Sequence, residues 1–215
     1  MSSNACARFG LHQERFRIIE ANLLGLTRKR EKRVAILLTY LLILAVPVTA
    51  VALLYARWGY RTYGKLTFFG VFLLCLMFFV PNLIVEYATR YKMPETPLNY
   101  LGFAIAILGV AICTTGVIHF RSMSKVFCVE TGELTVSGLY RWSRNPQYVG
   151  YLLFLLGFTL NDWSLWCLAA LLVVAVSVHF LVLVEEEHLQ RVFGEQYVEY
   201  CRNVPRYVPL GPGRS

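Results

Sequence analysis

Three consecutive carboxylates, Glu185-Glu186-Glu187, follow directly on a long apolar segment. Ionisable groups at the edge of a hydrocarbon layer are costly. Carboxylates at the carboxyl end of a helix also oppose its macrodipole. Something cationic is therefore expected to compensate them. Two uses fit: a solvated cluster that marks the membrane boundary, or a site for an ammonium group, a sulfonium group or a catalytic arginine. A second unusual run is Arg144-Asn145-Pro146-Gln147-Tyr148-Val149-Gly150. Proline suits the first turn of a helix, the free N–H groups there bind anions, and Gly150 allows close backbone approach. Alone this is an ordinary helix start; beside the glutamates of a neighbouring helix it becomes half of a pocket. The tail supplies the third feature. Residues 187–194 read as a helix ending near Gly194, a short helix runs through Tyr197 and Tyr200, and the chain closes on Val204-Pro205-Arg206-Tyr207-Val208-Pro209. These aromatics and arginines either fold back as a lid or pack as an interfacial tail.

The elements that must position these groups are membrane helices. The chain has 215 residues, of which 57 % are hydrophobic and 16 % charged, with a mean hydropathy of +0.52. Soluble domains carry about 25 % charge, and disorder needs low hydrophobicity. The composition points to an all-α, multi-pass integral membrane protein. Val34–Leu54, Leu66–Val85, Leu98–Ile118 and Trp163–Val184 each reach the roughly 20 apolar residues of a spanning helix. Gln147–Asn161 is shorter and, with a turn at Asn161-Asp162, makes a helical hairpin with the last of these. About five spans result, with Pro47 and Pro81 inside two of them as expected kinks. Three regions follow: a polar lead (residues 1–33) with an interfacial helix around Phe16–Leu26, a three-span region (34–118), and a carboxyl-terminal region (119–215) with the hairpin and a cytosolic tail. No signal peptide is visible ahead of the first span.

The net charge of +8 fits contact with anionic lipid better than nucleic acid. Lys and Arg divide almost evenly between the two sides, 10 against 11, so charge alone does not orient the chain. The six cysteines are scattered without ligand-like spacing and read as small buried hydrophobes, with no metal site. His179, inside the last span, is either a functional group or a neutral histidine bonded to a neighbouring helix. Glu86 and His119 belong to the membrane interface.

The stretch SGLYRWSRNPQYVG (137–150), a hydrophobic hairpin, and EEEHLQRVFGEQYVEYCRNVPRYVP (185–209) together resemble the isoprenylcysteine carboxyl methyltransferase family. Several spaced elements recur in order. One residue departs from that pattern, Asn145 standing where the family has histidine. Phospholipid N-methyltransferases, a related group, carry N-P-x-Y-x-G there. The resemblance implies S-adenosylmethionine as cofactor. Tyr140, Arg144, Asn145, Pro146, Tyr148 and Gly150 would form one wall of its pocket, Glu185 and Glu186 would hold its amino group or orient an arginine, and Tyr197 and Tyr200 would come from the tail. Arg206, then Arg202, would orient the substrate, with Glu186 also catalytic.

The expected reaction is in-line methyl transfer to a lipophilic acceptor, a prenylcysteine-type carboxylate or thiol, at a site facing the cytosol. A carboxylate is already ionised at pH 7 and an arginine can clamp it. A thiol or amine would need a proton acceptor, for which Glu186 or His188 is placed. The acceptor is expected to enter from the bilayer through a gap between the third span and the hairpin. The alternatives are a phospholipid (ethanolamine) N-methyltransferase, an NADPH-dependent sterol-reductase-like protein, and a non-catalytic membrane protein.

Overall fold

Six helices carry the described residues (3–89, 95–121, 136–161 and 163–208) in a computed structural model, and no strand occurs among them. They are α1 (Ser3–Tyr63), α2 (Phe68–Thr89), α3 (Pro97–Arg121), α4 (Pro146–Asn161), α5 (Leu165–Phe193) and α6 (Glu195–Asn203), with a 3-10 turn at Gly138–Arg141 before α4. Expectations for residues 122–135, for Asp162 and for Pro209 fall outside the described residues. The chain divides into two units, residues 1–40 and 41–215, and the site described below lies in the second.

Four helical stretches are long and apolar enough to cross a membrane: Glu31–Tyr63, Phe68–Thr89, Pro97–Ile118 and Leu165–Phe193. The chain is an integral membrane protein on this ground. The fifth expected span, α4, has 16 residues, about 24 Å at 1.5 Å per residue, which is less than a hydrocarbon core of roughly 30 Å. Helix α1 runs from Ser3 past residue 33 without a break. Both α1 and α2 continue past their prolines.

Local sequence explains the helix ends. Thr67 accepts from the Gly70 N–H at 3.1 Å to start α2. Thr96 and Asn99 cap α3 reciprocally, backbone to side chain in both directions, as in a capping box. Ser164 accepts from the Trp166 N–H to open α5. Gly194 (φ 54°), a left-handed turn that favours glycine, ends α5 and begins α6.

The tightest packing joins α3 to α4. Gly102, Gly109 and Gly116 recur every seven residues on α3, and Gly150 and Gly157 do so on α4. A Cβ at Gly102 would lie 2.6 Å from the Gly157 carbonyl oxygen, and one at Gly109 would lie 2.6 Å from that of Gly150. The two backbones therefore run antiparallel in direct contact, as small residues permit in membrane helices. Asn99 closes the end of the seam by donating to the Asn161 carbonyl at 2.6 Å. Among the described residues this seam leaves no opening between α3 and α4, on that side of the gap expected between the third span and the hairpin. Elsewhere Ala52 of α1, Leu73 and Met77 of α2 and Leu181 of α5 form a looser core.

The glutamate cluster and the start of the fourth helix

The three glutamates do not stand at a helix end. Helix α5 continues to Phe193, so the macrodipole opposes them less than a terminal position would imply. Successive residues of a helix point about 100° apart, and each carboxylate accordingly meets a different partner. Glu185 accepts from the Tyr148 hydroxyl at 2.7 Å. Glu186 is clamped by two arginines: Arg206 donates through Nε at 3.0 Å and Nη2 at 2.7 Å, and Arg144 Nη1 lies 3.1 Å away. Glu187 is held instead by Arg57, Arg61 and Arg191, at 3.0, 2.6 and 2.6 Å. Glu185 and Glu186 thus face the start of the proline-started helix, and Glu187 faces α1.

The chain around Arg144 is fixed by the returning tail. The Arg144 N–H donates to the Pro205 carbonyl at 3.0 Å. Asn145 Nδ2 donates to the Arg206 carbonyl at 3.1 Å, and the Ser143 hydroxyl takes the Asn145 N–H at 3.1 Å. Arg144 Nη1 also lies 2.6 Å from Cys201 Sγ, while its buried Nε has no protein partner among the described residues. Tyr140 donates to Gln147 Oε1 at 3.1 Å, and Tyr200 donates to the Tyr140 carbonyl at 2.8 Å. Burial pushes the phenols of Tyr140, Tyr197 and Tyr200 above their ordinary range. The Glu186 carboxylate beside Arg206 raises that guanidinium further.

Tyr140, Arg144, Asn145, Tyr148, Glu185, Glu186, Tyr197, Tyr200 and Arg206 therefore gather where α4, α5 and the tail meet. Pro146 is buried at the first turn of α4. Gly150 turns the other way: its open side is filled by the backbone of α3 at Cys113, which makes it a packing residue. Arg202 points outward at 68 % exposure and pairs with Glu199 on its own helix. His188 is buried and stacks on Tyr60 of α1 at 4.3 Å. His179 bonds the Tyr207 hydroxyl at 3.0 Å, so its partner is the tail and not a neighbouring span. Glu86 is exposed. Among the described cysteines Cys167 is buried, Cys75 is exposed, and Cys113 and Cys201 are half-buried; Cys6 and Cys128 lie outside that description.

Sequence reasoning missed Arg57 and Arg61, Cys201, and the carbonyls of Pro205 and Arg206. The two arginines carried a signal, four residues apart at the end of α1 as Glu187 and Arg191 are on α5. Among the described residues no three His, Cys, Asp or Glu side chains converge as metal ligands would.

Residues 99–196 match the family described as phospholipid methyltransferase. The chain also aligns with curated relatives named protein-S-isoprenylcysteine O-methyltransferase. One, form B of Arabidopsis thaliana, is 30 % identical over 127 residues, covering 53 % of this chain and 60 % of the relative. The human protein is 33 % identical over 125 residues, covering 55 % and 43 %. The rat protein is 30 % identical over 125 residues with the same coverage. In these matches the chain is similar to the isoprenylcysteine carboxyl methyltransferases. It aligns with about half the length of these relatives. No solved structure matches.

Proposed function

We propose that the chain is an S-adenosylmethionine-dependent methyltransferase for a lipophilic acceptor, a prenylcysteine-type carboxylate or thiol. The region 119–215 would hold its site, facing the cytosol. The observation that carries this reading is the Glu186 carboxylate clamped between Arg144 and Arg206, with Glu185 and Tyr148 beside it. The relatives' names imply a methyl donor. The residues present suit this one: carboxylates for an ammonium or sulfonium group, and at Arg144 an unpaired buried Nε for a carboxylate. When bound, S-adenosylmethionine supplies an electrophilic methyl group on a sulfonium.

The chain's own groups would then do three things. Glu185, bonded to a phenol rather than a guanidinium, offers a carboxylate to the donor's cationic groups where little water screens it, and Glu186 orients Arg144 and Arg206. Arg206, tied to Glu186 and one-third exposed, can swing one N–H edge to an anionic acceptor and present it bidentately. The tail, anchored by Asn145 to the Arg206 carbonyl, excludes water, which favours a reaction that consumes charge. Positioning supplies most of the rate. An ionised carboxylate acceptor needs no base; a thiol would lose its proton, and Glu186 stands at the site while His188 is buried against Tyr60 of α1.

A second reading, methylation of a phospholipid amine, is favoured by Asn145 in place of histidine and by the description of the matching family. One experiment separates them. Labelled donor is given to the purified protein with prenylcysteines, ethanolamine lipids or small thiols. Transfer to a prenylcysteine or thiol supports the first reading, and transfer to an ethanolamine lipid the second. NADPH binding without donor binding, measured by calorimetry in detergent, overturns both. Glu186→Ala and Arg144→Ala should each weaken donor binding at least tenfold.

A further inference from the structure

An apolar groove of about 490 Å³ lies between α1 and α5, lined by Ala50, Leu53, Leu54, Phe180, Leu183 and Val184. It is closed at one end by Arg57 and Glu187. The same seam continues deeper between Val46 and Thr49 of α1 and Val176 and Ser177 of α5, in a second groove of about 280 Å³. From Leu172 to Glu187 the seam runs about 22 Å along α5 at 1.5 Å per residue. That exceeds half of a hydrocarbon core of roughly 30 Å. Its polar end is distinctive. Among the described residues, three guanidiniums, from Arg57, Arg61 and Arg191, share the one carboxylate of Glu187. Three positive charges against one negative leave a net of +2. The arginine side chains remain 42–51 % exposed, so they can reach a further anion.

The geometry points to a bound anionic phospholipid on the α1–α5 seam. One acyl chain lies in the groove, and its phosphate rests on Arg57, Arg61 and Arg191. Charge complementarity selects the occupant. A zwitterionic lipid would leave the excess of two positive charges in place, and a neutral isoprenoid would not use the arginines at all. Free phosphate would use them but leave the groove unfilled. Glu187 holds the guanidiniums in register and sets their net charge. The site stands apart from the Glu186 clamp, because Glu187 points about 100° around the helix from it. It does not depend on the proposed methyl transfer.

The test uses the full chain in nanodiscs of phosphatidylcholine with 20 mol% phosphatidylglycerol, extracted gently and weighed by native mass spectrometry. Retained phosphatidylglycerol should exceed its share of the bilayer, and 10 mM inorganic phosphate should not displace it. Arg57→Gln and Arg61→Gln should each lower that preference about fivefold, the factor for one basic residue at a membrane surface. Glu187→Gln should raise it, because the net charge becomes +3, and a variant that merely loosened the fold would not. Leu53→Trp, which fills the groove and keeps every charge, should abolish retention. Retention in proportion to bilayer composition overturns the proposal. So does displacement by free phosphate, or a Glu187→Gln variant that loses lipid as the arginine variants do.

Discussion

Adjacent glutamates on α5 should respond very differently to the same substitution. The Glu186 side chain is 13 % exposed and its partner Arg144 12 %. Glu186→Gln removes the carboxylate and leaves the Arg144 guanidinium uncompensated where water scarcely reaches. Its Nε already lacks a protein partner among the described residues. Breaking a buried pair from one side costs about 3–5 kcal/mol. The Arg206 arm, 34 % exposed, is partly rehydrated and adds about what a surface pair does, ~0–1 kcal/mol. The low end applies, because the site borders water, and about 3 kcal/mol is expected. Glu187→Gln breaks three pairs, all with arginines 42–51 % exposed, and should cost only about 1 kcal/mol. The assay is reversible unfolding in mixed micelles, following helical circular dichroism against denaturant. A third variant separates charge from shape: Glu186→Gln with Arg144→Met should recover much of the loss, since replacing both members of a buried pair is often near neutral. Equal losses for the two glutamate variants would refute the reasoning, as would a double variant no better than Glu186→Gln alone.

Other expectations follow from the same contacts. Gly150→Ala and Gly157→Ala place a Cβ on the α3 backbone and should each cost about 1–3 kcal/mol by overpacking; a wild-type unfolding midpoint would contradict the seam. Tyr207→Phe removes the bond to His179, about 1 kcal/mol, and should speed tryptic cleavage after Arg206 about fivefold, read by mass spectrometry. Tyr140, Tyr197 and Tyr200 have folded-state pKa values above the ordinary 10.0. The unfolded chain therefore loses those protons first, and stability present below about pH 10 should fall as pH rises beyond it. Denaturant midpoints at pH 8 and pH 11 should show that fall, reduced in Tyr197→Phe.

The spans were legible because twenty uncharged residues have few other places to go: four of them reappear with starts within about three residues of those expected, while the first and last run nine residues further, to Tyr63 and Phe193. The site was legible as composition. Three carboxylates at a membrane edge require partners, and two of the three have arginines. Which arginine serves which glutamate was not legible, because it depends on the rotational setting of α5 against α1 and α4. Glu185 takes a phenol and no cation, which no charge count would indicate. The closed α3–α4 side of the expected acceptor entrance was hidden for a related reason. Gly102, Gly109 and Gly116 mark a seam only when the matching glycines of α4 are set against them. Arg202 and Arg206 looked interchangeable in a basic tail, yet only Arg206 follows the turn at Val204-Pro205 that brings the chain back to Glu186.

Three neighbouring acids with three separate sets of partners make the phase of α5 a controlled quantity. Inserting one residue between Cys167 and Val184 would turn the whole acidic triplet by about 100° and advance it 1.5 Å. Each carboxylate would then face its neighbour's partners. Removing two full turns would restore the facing but draw the triplet about 10 Å along the axis, away from Arg144. The thickness of bilayer this protein inhabits and the wiring of its acidic triplet are thus set by one number, the residue count of a single helix.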